Sequence, residues 1–186
     1  MYVPRHYLVV DLEATCDDGG LVPRAEMETI EIGAVLTRAS DLQPVAEFST
    51  FIRPVRHPTL TPFCTALTTI RQEQVDGAPL FPSAMNDFVR QMFVGHDAVF
   101  CSWGAYDRTQ LRQDCERHRI QYPLGSQHFN LKELFSESQG LRKKHGMKAA
   151  LELAGLNLEG THHRGIDDAR NIARLLPWCL GRLKLP

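Results

Sequence analysis

Apolar and β-branched residues crowd the segment from Tyr7 to Ala14, which predicts a buried strand ending in the turn-rich stretch CDDGGLVP. Ile30 to Leu36 and Glu47 to Ile52 have the same character, and the polar TRASDLQP between them predicts a hairpin. Residues 7 to 53 should therefore build an antiparallel three-stranded unit. From Pro58 onward, Pro62, Gly77, Pro79 and Pro82 punctuate short helical candidates. Ser83 is expected to cap a helix running to Phe93, with Met85, Phe88, Val89 and Met92 on its inner face. Val99 to Ser102 predicts a short strand that feeds a helix from Asp107 to His118. Phe129 to Phe135, Met147 to Leu153 and Ala169 to Leu176 predict further helices, the last with Ala169, Ile172, Ala173 and Leu176 on one face. Pro177 should stop or kink that helix, because it lacks the N–H a continuing turn requires. Strands first, then strand alternating with helix, predict an α/β three-layer architecture with a mixed sheet, organised as one domain over residues 1–186.

Composition narrows the class. With 186 residues, 43% hydrophobic and 23% charged, the chain is long enough to bury a substantial core. A formal net charge of -1 argues against a long electrostatic track along duplex nucleic acid, but leaves room for a short footprint on a polyanion if bound cations supply local charge. Five scattered cysteines with no CxxC pair fit neither a disulfide framework nor a zinc ribbon and are read as reduced thiols. No apolar stretch reaches membrane-spanning length, and the run at Tyr7 to Val10 is too short for a signal segment, so a cytoplasmic protein without a membrane partner is expected.

Three segments carry candidate chemistry. Asp11 and Glu13 sit two apart on the first strand, where the period of two sends both carboxylates to one face. Two close acids on an apolar strand repel and lose hydration unless a cation lies between them, although solvated residues at a strand end would explain the spacing equally well. The segment HHRGIDDAR sets His163 in a loop before a helix whose first turn holds Asp168. In isolation it reads more simply as a capped helix, with Asp167 as the cap, after a solvated loop. SWGAYDR delivers Asp107 from a strand to a helix start, which on its own suggests a residue that compensates the helix dipole.

Together, these segments resemble the DEDDh exonucleases of the DnaQ-like, ribonuclease-H-like superfamily. The Asp-x-Glu motif is matched by DLEATC with Asp11 and Glu13, and the lone Asp after a strand by SWGAYD with Asp107. A His followed five residues later by Asp occurs as His163 with Asp168 and also as His162 with Asp167. GIDDARNIARLL resembles the enhanced-RNAi and 3′-histone-mRNA exonuclease subgroup, where the second acid of the doublet is the ligand, and this favours His163 with Asp168. DLEATC, FCTALTTIRQEQVDGA and FNLKELF extend that resemblance from Tyr7 to about Leu176. The basic N-terminal extension used by eukaryotic members for structured RNA is not matched, so stem-loop recognition is not expected.

The resemblance implies a ribonuclease-H-like domain with a mixed five-stranded sheet flanked by helices. It also implies hydrolysis of phosphodiester bonds from the 3′ end of single-stranded nucleic acid, RNA favoured, releasing nucleoside 5′-monophosphates. Two Mg²⁺ or Mn²⁺ ions would be held by Asp11, Glu13, Asp107 and Asp168, oxygen ligands of the kind such hard cations take. By resemblance Asp11 bridges both ions, Glu13 and Asp168 complete the one on the nucleophile side, and Asp107 acts partly through water. His163 is the expected general base, with Gly160 and Gly165 as hinges of its loop. Phe63, Tyr106 and Met27 are candidates to grip the terminal nucleotide, with the main chain of Ala14 and Thr15 near its 3′ hydroxyl; Phe63 and Met27 would equally serve as core. Trp103 is expected to pack rather than stack, RKKH (Arg142 to His145) to be a solvated loop, and Glu28 and Glu31 not to ligate. Two rival readings remain: a DNA-directed proofreading or repair exonuclease, and a catalytically silent nucleic-acid-binding module of the same fold.

Overall fold

The computed structural model describes residues 4–186. Five strands form one sheet: β1 (His6–Ala14), β2 (Thr29–Arg38), β3 (Pro44–Phe51), β4 (Ala98–Ser102) and β5 (His128–Asn130), in the spatial order β3-β2-β1-β4-β5. β1 is central, antiparallel to β2 and parallel to β4; β2 and β3 form the expected hairpin, and β5 lies parallel to β4. The mixed five-stranded sheet flanked by helices is thus the architecture anticipated from the sequence.

Alternation along β1 explains the layers. Leu8, Val10 and Leu12 face one way, into a cluster with Phe81, Met85, Phe88 and Met92 of α3 (Phe81–Met92) and Leu111 of α4 (Tyr106–Arg117). Tyr7 and Val9 face the other way, into a cluster closed by α5 (Leu131–Ser138), α6 (Met147–Leu153), α7 (Gly165–Arg174) and the short Leu176–Cys179 helix. Each fully buried Leu, Phe or Ile in these layers contributes about 1.5–3 kcal/mol relative to exposure, enough to fix the strand's facing. A smaller cluster, Ile30, Leu60, Cys64, Ile70 and Val75, seats the helices α1 (Pro62–Thr68) and α2 (Gln72–Asp76) beside the far end of β2.

Four local expectations need correction. The helix forecast from Ser83 begins at Phe81 with Pro82 in its first turn, and its N-cap position is Leu80 without a side-chain cap; proline's fixed φ suits that position. Phe129 is not helical: His128–Asn130 adds the edge strand β5, and Asn130 then caps α5 by accepting a hydrogen bond from the Glu133 N–H. α7 starts at Gly165, not Ala169, with Arg164 at its N-cap position. Asp167 is therefore not the cap; it lies inside the first turn and accepts from the Thr161 N–H while pairing with Arg170.

Candidate active site

Because Tyr7 and Val9 face α7, the same period carries Asp11 and Glu13 toward its N-terminal end. What lets α7 come so near is a pair of glycines. Gly33, the β2 partner of Asp11, abuts Gly165, and a β-carbon built on Gly33 would lie 2.0 Å from the Gly165 carbonyl carbon and 2.1 Å from the Ile166 nitrogen. Gly165 in turn lies with its β-position 3.1 Å from the Asp11 carbonyl oxygen. Gly165 is accordingly a packed contact and not the hinge expected of it, whereas Gly160 does occupy the left-handed region at φ 74°. The approach is locked by Glu31. Its fully buried carboxylate accepts from the Gly165 N–H at 3.0 Å and from the Arg164 guanidinium at 3.1 and 3.2 Å.

Asp168 is thereby delivered to the acids of β1. Candidate ligand atoms of Asp11, Glu13 and Asp168 lie within 4.8 Å of one another. Asp107, in the first turn of α4, stands outside that trio but opens on the same cavity, where its carboxylate accepts from the Leu12 N–H at 3.1 Å. The cavity, of about 400 Å³, is lined by all four carboxylates together with Ala14, Met27, Tyr106, His162 and His163. Leu12, Cys16, Leu67, Trp103, Gly146 and Met147 complete its walls.

Electrostatics show what this cluster lacks. Burial, reinforced by Asp168, Glu31 and Asp107, pushes Glu13 up to about 8. Burial raises Asp107 to about 6 and holds Asp11 well above the carboxylate range, with Asp107 and Glu13 adding repulsion at Asp11. No Lys or Arg lines the cavity among the described residues. Crowded carboxylate oxygens without a cationic side chain are the donor set for hard divalent cations, which the arrangement fits. The ion itself would restore the ionised form of each acid.

The two histidines divide differently from the sequence-based expectation. His163 lines the cavity, its N–H donates to Asp168 Oδ2 at 2.9 Å, and its φ of 62° is left-handed. Burial lowers its pKa below 6.5, assisted by neighbouring His162. His162, not expected to take part, lies 2.9 Å from Asp168 Oδ2 through Nδ1 and stacks on His163 with ring centroids 3.9 Å apart. Asp168 rather than Asp167 reaches the cavity.

Of the nucleotide-gripping candidates, Ala14, Met27 and Tyr106 line the cavity. The other two do not. Phe63 sits 36% exposed on the Pro62–Thr68 helix, and Thr15 is buried with its N–H donating to Glu28 O and its hydroxyl accepting from Glu28 N–H. Past a register shift between Glu13 and Ala14 the chain keeps pairing across to Glu28, which occupies the Thr15 N–H and hydroxyl. Trp103 packs on Phe135 and donates to His145 O, yet its ring also forms cavity wall, as does Met147. Trp103's position inside SWGAYD was the available signal. The Glu28 carboxylate accepts from the N–H groups of Val55, Arg56 and His57. Of RKKH, Arg142, Lys143 and Lys144 are exposed in a loop, and Lys144 pairs with Glu133.

Fold and site together define a ribonuclease-H-like exonuclease class. Residues 8–176 match the family described as Exonuclease (RNase_T), and the chain belongs to that family. It is 32% identical to mouse (Mus musculus) "ERI1 exoribonuclease 3" over 182 residues, covering 92% of this chain and 52% of that protein. It is 31% identical to "Probable 3'-5' exonuclease KapD" of Bacillus subtilis (strain 168), covering 90% of this chain and 81% of that one. The solved nuclease domain of 3'hExo, a DEDDh family member bound to rAMP, superposes with a TM-score of 0.83 at 27% identity, covering 96% of this chain and 93% of that one. The chain spans about half the length of the first curated relative it matches. Among the described residues no helix is long and apolar enough to cross a membrane.

Proposed function

We propose that this chain is a 3′-to-5′ exonuclease acting on single-stranded nucleic acid, with RNA preferred, and that it releases nucleoside 5′-monophosphates. The observation that carries the reading is the meeting of Asp11, Glu13, Asp107 and Asp168 with His163 around one cavity. Two divalent cations, Mg²⁺ or Mn²⁺, would be held by those four carboxylates and would supply charge neutralisation at the phosphate and a more acidic attacking water.

The chain's own residues supply the rest. His163 takes the proton from the water at an imidazole nitrogen, and its lowered pKa keeps that nitrogen free at neutral pH. The hydrogen bond from its own N–H to Asp168 holds the left-handed backbone that aims the ring into the cavity. Tyr106, Met27 and Leu67 offer faces for the terminal base without reading its sequence, which suits successive removal of any nucleotide. The preference for RNA rests on the chain's similarity to proteins named as exoribonucleases and would operate through contacts to the 2′-hydroxyl.

End-labelled RNA and DNA oligomers test the reading. With a 5′ label and Mg²⁺ or Mn²⁺, products should shorten stepwise from the 3′ end, RNA faster than DNA, and EDTA or Asp11→Ala should abolish the ladder. Internal cuts, or an unchanged ladder in EDTA, would overturn it.

A further inference from the structure

Two thiols meet at the edge of the catalytic cavity. Cys16, half-buried, forms part of the cavity wall just beyond β1. Cys64, fully buried, lies in the first turn of the Pro62–Thr68 helix, and Cys16 packs on the apolar cluster to which Cys64 belongs. One hydroxyl clips their backbones together: Thr61 Oγ1 donates to the Cys16 carbonyl at 2.6 Å and accepts from the Cys64 N–H at 3.0 Å. The Cys64 Sγ reaches to 3.6 Å from the Ala14 carbonyl, two residues before Cys16, and the two neighbouring thiols act on one another, raising Cys16 and lowering Cys64 to about 7. The remaining three cysteines, Cys101, Cys115 and Cys179, are buried elsewhere.

We propose that Cys16 and Cys64 are an oxidisable dithiol whose disulfide deforms the cavity wall and slows the exonuclease. The oxidant is a peroxide small enough to enter the cavity. Proton transfer to the Cys64 thiolate frees the Cys16 sulfur, the one open to the cavity, to attack a peroxide oxygen as a thiolate; the O–O bond breaks, the leaving oxygen departs as water with a proton from solvent, and Cys16 carries a hydroxyl. The Cys64 sulfur then attacks Cys16; the S–O bond breaks as the S–S bond forms, and a second water leaves with the Cys64 proton. Two thiols are oxidised and one peroxide is reduced to two waters.

Closing the bond brings the sulfurs to about 2.05 Å. Cys64 is fully buried in a cluster with Ile30, Leu60, Ile70 and Val75, so Cys16 is the partner that moves, together with the wall it shares with Ala14 and Leu67. Misplacement by about 1 Å at the reacting atoms can cost on the order of a hundredfold in turnover, and movement of a wall beside them is expected to cost about tenfold. The consequence for turnover rests on the exonuclease reading; the crosslink itself does not.

The test treats reduced full-length protein with stoichiometric hydrogen peroxide, counts free thiols, maps the crosslink by non-reducing peptide mass spectrometry and measures oligonucleotide hydrolysis before and after dithiothreitol. The expected result is a fall from five free thiols to three, a Cys16–Cys64 peptide pair, and about a tenfold loss of hydrolysis that the reductant reverses. Cys16→Ser and, because Cys64 is buried, both Cys64→Ser and Cys64→Ala should each abolish the crosslink and the peroxide-dependent change in rate. Five thiols remaining, or a crosslink through other cysteines, overturns the proposal. A Cys16–Cys64 crosslink with unchanged hydrolysis overturns its coupling to catalysis. Protein inactive even when reduced counts against the exonuclease reading, and the crosslink yield still decides for or against the dithiol.

Discussion

Replacing Gly33 with alanine should break the site from a distance, through a single methyl group. That carbon would sit 2.0 Å from Gly165 C, 2.1 Å from Ile166 N and 2.2 Å from Gly165 O, against an ordinary contact range of 3.4–4 Å. All three atoms are backbone, so no rotamer change relieves the clash, and the start of α7 must retreat from β2 by roughly 1 Å or more to reach ordinary contact. Overpacking of this kind costs about 1–3 kcal/mol, which for a chain of this size lowers Tm by roughly 2–12 °C. Asp168 lies three residues beyond Gly165 on the same first turn and moves with it, away from Asp11 and Glu13. Misplacement by about 1 Å can cost on the order of a hundredfold in turnover. Gly165→Ala is the graded companion, since its closest contacts are 3.0 and 3.1 Å and call for shifts of only a few tenths of an ångström. The assay is thermal unfolding with and without Mn²⁺, alongside oligonucleotide hydrolysis. Gly33→Ala should lose most of the Mn²⁺-dependent rise in Tm and about two orders of magnitude in rate, and Gly165→Ala less of both. If Gly33→Ala hydrolyses at the parent rate with the parent Tm, the claim that this glycine contact sets the ligand geometry is wrong.

Other outcomes follow from the same geometry. Arg164→Met should destabilise the fold by about 3–5 kcal/mol in chemical denaturation, because it strands the fully buried Glu31 carboxylate; Glu31→Gln combined with it should recover part of the loss. His163→Ala should lower hydrolysis about 10²- to 10⁴-fold while Mn²⁺ binding persists in calorimetry, and unchanged turnover would reject its role as base. Glu13 is raised from 4.5 to about 8 in the folded chain without cation, so the folded form binds more protons than the unfolded one between those values. The stability of the metal-free protein should therefore fall as pH rises from 4.5 to 8, and Mn²⁺ should reverse the fall. Protons compete with the cation for these carboxylates, so the acid limb of the rate profile should move to lower pH as Mn²⁺ is raised; a limb indifferent to Mn²⁺ would contradict this.

What the sequence disclosed divides along physical lines. β1 and the pair Asp11 and Glu13 were legible because a period of two in an apolar run fixes facing locally. α6 was read residue for residue, since its apolar positions and flanking glycine lie within a few residues of one another. β5 was missed because three residues, His128 to Asn130, are ordered by pairing with β4 and not by their own pattern. The true start of α7 is set by Gly33, whose contact with Gly165 spans more than a hundred residues and leaves no periodic trace. Thr15 and Phe63 were placed by motif position, yet Thr15 is consumed by its pairing with Glu28 and Phe63 lies outside the cavity lining. His162 carried the same kind of signal as His163, and only the fold shows that its ring stacks on that residue and reaches Asp168.

Calorimetric titration of the metal-free protein with Mn²⁺ bears most directly on the central claim, that the four acids form one cation site. Two ions should bind per chain with release of protons, measured by repeating the titration in buffers of different ionisation enthalpy. Asp11→Ala should lose at least one ion, and both if its carboxylate is shared. Absence of binding, or a titration that Asp11→Ala and Asp168→Ala leave unaltered, would contradict the account.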